Sequence, residues 1–216
     1  RKDIISNIKD DSSDKTLLIV GGGGGVGSWC TQLARACYPN LDIICTASST
    51  LSSEWCQKMG ANKVIGHDDI KSLGGGPKGS VDHIICLAEP TKEIFDALAE
   101  VLRPFGRICL VVAGKGIQSL DLGFVFFKSG TVSTETVFSS VRAGYILNQD
   151  EEMKTILDLI ANKRVITPLS PTLEDGISSN PSYISWTEAV KEGGLIDLVG
   201  SGHCVGKSVM KIVSLS

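Results

Sequence analysis

Five consecutive glycines, Gly21 to Gly25, stand between the apolar run "TLLIV" (16–20) and the segment "VGSWCTQLARAC" (26–37). They contain the spacing G-x-G-x-x-G as Gly22, Gly24 and Gly27. Glycines in that pattern, after a strand and before a helix, suit a backbone cradle for a diphosphate. One permits the tight turn, one lets the main chain approach the phosphate oxygens, and one lets the helix lie close to the strand. A helix opening near Gly25 and Val26 aims free N–H groups and its positive dipole end at the anion. A flexible linker would lack this framing.

The residues closing the next strand choose the cofactor. An acid there would bind the ribose 2′-hydroxyl of NAD. Here the stretch is "TASSTLSS" (46–53), with Ser48, Ser49 and Thr50 as hydroxyl donors and no Arg or Lys between 41 and 57. Absence of the acid favours NADP, with NAD as the alternative. The same hydroxyls also suit a helix start at Ser49, Thr50 or Ser52.

These groups need elements to position them, and the pattern supplies an alternation. Strands are expected at 16–20, 41–47, 62–67, 81–88 and 106–113, with a sixth in "TVSTETVFSSV" (131–141). Helices are expected from about 25 to 37, at 51–61, at 91–104 with Pro104 as the stop, and at 150–163. Apolar positions stepping by three and four support the helices, and continuous apolar runs support strands buried on both faces. The reading is an α/β fold, a Rossmann-type doubly wound parallel six-stranded sheet. Residues 1–15 read as a lead-in, 16–165 as the dinucleotide-binding domain, and 166–216 as a C-terminal segment of a second, substrate-side domain. In that last part the Pro- and Ser-rich stretch after 165 is loop-like, a short helix is expected at 186–192, and "GKSVMKIVSL" (206–215) closes as a strand.

A net charge of -3 offers no basic footprint for nucleic acid or an anionic membrane. No apolar run is long enough to span a bilayer, and the start lacks the apolar middle of a secretory signal. The expected location is the cytoplasm. The chain does not begin with Met, as in a processed, trimmed or partial chain. Its 7 cysteines form no C-x-x-C pair and fit reduced core positions. His67, His83 and His203 have no ligand-like spacing to them, so no metal site is expected.

Several stretches taken in order resemble the medium-chain dehydrogenase/reductase superfamily, and within it the quinone oxidoreductase-like and zinc-type alcohol dehydrogenase-like proteins. "GGGGGVGSWCTQLAR" is similar to the phosphate loop. "KMGANKVIGHDD" is similar to the third strand. "VDHIICLA" with "LRPFGRICLVVA" is similar to the fourth and fifth strands. "ISWTEAVKEGG" with "VGKSVMKI" is similar to the closing segment. The resemblance implies that Gly24, Gly25 and Val26 lie against the pyrophosphate and that Ser48 and Ser49 sit near the adenosine ribose. It implies His67 beside the 2′-phosphate, with a surface histidine at a strand end as the alternative. Leu87 and Ala88, with Ala113 and Gly114, would border the ribose and nicotinamide. Val137 and Phe138 would belong to the sixth strand, contacting the carboxamide and pairing across a homodimer, unless Phe138 is a core residue. Lys207 matches the closing G-K pair, unless it is a solvated strand-end lysine.

Two departures stand out. Gly66 replaces the family's usual Asn, and the usual basic residue after the second strand is missing. The family's N-terminal barrel-like domain is also absent from this sequence. The activity implied is that of an NAD(P)H-dependent oxidoreductase moving hydride to a small-molecule carbonyl, enone or quinone, with poor turnover by this chain alone. Tyr145 and Tyr183 are the phenols available as proton donors, each better explained as packing. The rival reading is a non-catalytic NAD(P)-binding sensory or regulatory module. A methyltransferase is weaker, because it would expect an acid closing the second strand.

Overall fold

A computed structural model describes residues 14–145, 149–169, 184–185, 190–192, 195–200, 204–208 and 210–211. The "TLLIV" run forms β1 (Thr16–Val20), and the segment after the glycines forms α1 (Gly25–Cys37). Then come β2 (Asp42–Thr46), α2 (Thr50–Lys58), β3 (Lys63–Ile65) and a 3-10 turn over His67–Leu73. β4 (Val81–Cys86), α3 (Lys92–Val101) and β5 (Leu102–Leu110) follow. A second 3-10 turn (Lys115–Ser119) and α4 (Gly123–Phe127) lead to β6 (Thr131–Thr134). Beyond them lie α5 (Ser139–Arg142), α6 (Gln149–Ala161), β7 (Ile184–Ser185), α7 (Leu195–Gly200) and β8 (Met210–Lys211).

The six long-range strands pair in the order β3-β2-β1-β4-β5-β6, all parallel. This is the expected doubly wound sheet. Its continuous apolar strands follow from burial on both faces. On one side Leu18, Val20, Ile84, Cys86 and Ile108 pack with Phe95 and Leu98 of α3. On the other Leu17, Ile19, Ile43 and Cys45 pack with Cys56 of α2 and with Cys30 and Ala34 of α1.

Some boundaries differ from the sequence reading, for local reasons. α3 ends at Val101, and β5 begins at once with Leu102, so Pro104 lies inside a strand. The register explains how a proline is accommodated. Val81 pairs with Leu102 and His83 with Arg107, so residues 103–106 bulge out, with Phe105 at φ 63. A bulge leaves backbone groups unpaired, and a residue without an N–H is harmless there. The sixth strand stops at Thr134. Val137 and Phe138 fall outside it, 79% and 60% exposed. Of the helix expected at 186–192, residues 186–189 lie outside the described residues; the described residues 190–192 are turn and bend, and α7 follows at Leu195–Gly200. The C-terminal strand is represented by bridges at Gly206 and Lys207 and by β8, paired with β7.

Candidate functional site

The sheet order reverses between β1 and β4, and the glycine run lies at the C-terminal end of β1, beside that switch. In open α/β sheets this crevice receives the ligand. Gly21 turns the chain with φ 84, which favours glycine. Its N–H donates to Thr46 Oγ1 (3.0 Å), and the Gly22 N–H donates to the Thr46 carbonyl (3.2 Å). Thr46 Oγ1 also shares a hydrogen bond of 2.8 Å with His67 Nδ1. One buried threonine thus fixes the loop entry, and His67 is partner to that threonine.

Most of the glycines are explained by the protein's own atoms. A Cβ at Gly22 would lie 2.7 Å from Cys45 Sγ and 3.1 Å from Cys56 Sγ. One at Gly27 would lie 2.6 Å from the Gly22 carbonyl oxygen, which is the close helix-to-strand approach expected. One at Gly25 would lie 2.8 Å from Lys207 Cδ and 2.9 Å from Nζ, the end of a flexible side chain that can move aside, so this contact alone does not demand glycine. Gly24 differs. Its Cβ would meet only the Gly21 carbonyl oxygen, at an ordinary 3.7 Å, and its φ of -74° suits any residue. Nothing described in the protein requires glycine there.

The first turn of α1 is unusual among its neighbours. α2 is capped by Ser49, which accepts from the Ser52 N–H, and α3 by Thr91, which accepts from the Ile94 N–H. α1 has Gly24 at its N-cap, no side-chain cap and no acid in its first turn. Its leading N–H groups therefore face the crevice unclaimed by a side-chain cap. Val26, 52% exposed, stands beside them. The Ser28 hydroxyl donates to the Gly24 carbonyl (2.8 Å) and accepts from Trp55 Nε1 (2.8 Å), which braces the loop from behind.

The C-terminal return reaches the same loop. Gly206 donates its N–H to the Gly23 carbonyl (2.9 Å), and Lys207 donates its N–H to the Pro168 carbonyl (2.7 Å). Lys207 is thereby carried to Gly25 at the mouth of α1. The contact of this lysine with the glycine loop spans some 180 positions of chain, which no local pattern could reveal.

Other site candidates fall along the sheet's C-terminal edge. Leu87 is half-buried and donates its N–H to the Val20 carbonyl (3.0 Å), so it and Ala88 adjoin the glycine loop. Ala113 is exposed, and Gly114 carries the Glu89 side chain against its bare Cα. Ser48 and Ser49 line a cleft of about 650 Å³ together with Thr50, Ser53, Lys63, Ile65, Gly66 and Asp69. Ser49 is committed to capping. Its hydroxyl lies 2.9 Å from that of Ser52, and Ser52 Oγ donates to the Ser49 carbonyl (3.0 Å). Sequence reasoning missed Lys63 and Asp69, because it sought a charged residue for the ribose only at the end of β2 and took His67 and Gly66 alone from the stretch after β3. Tyr145 is 72% exposed, and Tyr183 and His203 lie outside the described residues.

The strand order and the uncapped helix define a Rossmann-type nucleotide-binding fold. The family model for zinc-binding dehydrogenases matches residues 25–162, and the chain belongs to that family. A zinc-type alcohol dehydrogenase-like protein of Staphylococcus aureus strain MSSA476 is 31% identical over 183 residues, 83% of this chain and 53% of that protein. The chain thus spans about half the length of the curated relatives it matches. Among solved structures, the quinone oxidoreductase of Coxiella burnetii superimposes with a TM-score of 0.65 at 21% identity, covering 94% of this chain and 56% of that one. A mycobacterial protein solved with NADPH gives a TM-score of 0.68 at 17% identity, covering 97% and 60%. These are fold likenesses of the medium-chain dehydrogenase/reductase type. Among the described residues, no group of three or more His, Cys, Asp or Glu is arranged to hold a metal ion. These residues do not fit a zinc site, and none is assigned to one.

Proposed function

We propose that this chain is the nucleotide-binding part of an NAD(P)H-dependent oxidoreductase acting on a small-molecule carbonyl, enone or quinone. Gly24 carries the reading. It is a glycine that neither the described packing nor its backbone angles demand, at the place where a ligand would press against the main chain. The residues present fit a dinucleotide. Gly22, Gly24, Gly25, Val26 and Gly27 would cradle the diphosphate through the first-turn N–H groups, with the Lys207 ammonium balancing its charge. Ser48, Ser49 and His67 would adjoin the adenosine ribose. Leu87, Ala88, Ala113 and Gly114 would border the nicotinamide end.

The bound nicotinamide supplies the hydride. The chain's own part is to aim that ring and to keep water from it with Leu87 and Ala88. Residues 166–216 are read as the returning piece of a substrate-side domain, and Gly206 and Lys207 as its link to the phosphate loop.

Gly24→Ala tests this. The purified chain should bind NADH or NADPH, followed by quenching of its tryptophan fluorescence. The variant should lose binding at least about tenfold while its unfolding free energy falls by no more than about 1 kcal/mol, the cost of alanine in place of glycine at a helix N-cap. Undiminished binding by the variant rejects the reading.

A further inference from the structure

Resting on the nucleotide-binding reading above, we infer that Asp69 sets the cofactor preference, toward the dinucleotide without a 2′-phosphate. The acid absent from the end of β2 is supplied by the turn after β3. Asp69 folds back over Gly66: a Cβ on Gly66 would lie 2.7 Å from Asp69 Oδ2. Glycine at 66 makes room for the carboxylate at the rim of the cleft that Ser48, Ser49, Thr50 and Ser53 also line. The first turn of α2, which lines that cleft through Thr50 and Ser53, also packs on the glycine loop: a Cβ on Gly23 would lie 3.0 Å from Ser52 Cβ.

A carboxylate and a 2′-phosphate repel each other, whereas a carboxylate accepts a hydrogen bond from a ribose hydroxyl. The helix end that could outweigh the repulsion is already committed. The Ser49 hydroxyl accepts the Ser52 N–H, and the Ser53 N–H goes to the Ser49 carbonyl, so the α2 terminus has little left to offer an anion. Among the described residues Lys63 is the one cation lining the cleft and Asp69 the one acid, so the lining carries no net charge. Among the described residues no guanidinium lines it to grip a phosphate in two places. Hydroxyls without net positive charge suit a ribose better than a phosphomonoester.

Calorimetric titration of the chain with NADH, NADPH, AMP and adenosine 2′,5′-bisphosphate tests the assignment. The parent should bind NADH at least about tenfold tighter than NADPH, and AMP tighter than the bisphosphate by a similar ratio. Asp69→Asn and Asp69→Ser should each raise affinity for the two 2′-phosphorylated ligands about tenfold and change NADH affinity less than about threefold. Asp69→Glu should keep the parental preference. A parent that prefers NADPH, or variants that leave the ratio unchanged while still binding both dinucleotides, overturns the role of Asp69 alone. Failure of the parent to bind any of the four rejects the nucleotide-binding reading and this inference with it. Thermal melting of each variant separates a lost fold from a changed preference.

Discussion

A methyl group placed on Gly27 meets the Gly22 carbonyl oxygen at 2.6 Å, in a loop whose backbone is pinned by Thr46. The helix cannot retreat without leaving Leu17 and Ile19 uncovered, so Gly27→Ala should destabilise the fold by about 1–3 kcal/mol. A urea midpoint checks this, and the loss should exceed that expected for Gly24→Ala, whose main effect should be on binding. Burial gives a second prediction at this scale. It pushes the His83 imidazole below its ordinary range; Asp82 opposes this, and Lys15 and Arg107 reinforce it. The folded state therefore favours neutral His83, and the unfolded chain takes up its proton more readily. His83's contribution is fully present above the unfolded value of about 6.5 and is lost as pH falls from there toward the depressed folded value. Urea midpoints at about pH 7.5 and about pH 5.5 should show a smaller acid loss for His83→Gln than for the parent.

The elements were legible where local chemistry decided them. Strand β1, helix α1 and the helix start at Ser49 follow from short-range pattern. The capping alternative for Ser49 is the one the structure adopts, because its hydroxyl and that of Ser52 serve each other's backbone. Ser49→Ala should therefore lower stability by about 1 kcal/mol, measured as a shift in melting, and weaken NADH binding far less than Gly24→Ala does. Boundaries were less legible where tertiary pairing overrode propensity. The Thr- and Val-rich run after 131 has strand-forming residues throughout. It stays extended only where β5 offers partners, from Arg107 to Leu110, and turns after Thr134. Pro104 reads as a helix stop in isolation, but α3 has already ended when the chain enters the bulge that holds it.

At the scale of the whole molecule, the sheet order brings residues far apart in sequence to one edge, and this is what a linear reading could not supply. The glycine loop announced itself by spacing. Lys207 reaches the glycine loop only because the C-terminal return pairs Gly206 with Gly24, and Asp69 lines the cleft beside Ser48 only because the turn after β3 folds back on Gly66. Lys207 offers the test of that long-range arrangement. Its stem lies over Gly25 and its ammonium stands near the uncapped helix mouth, so charge and packing can be separated by Lys207→Met. Methionine keeps an unbranched stem and removes the cation. Melting should change little. Dinucleotide affinity at low salt should fall about tenfold, and its dependence on salt should flatten, because a screened charge pair has been lost. Titrations at about 20 mM and about 500 mM salt read both quantities at once. Equal affinities for parent and variant at low salt would leave the lysine as packing over Gly25 and remove it from the phosphate site.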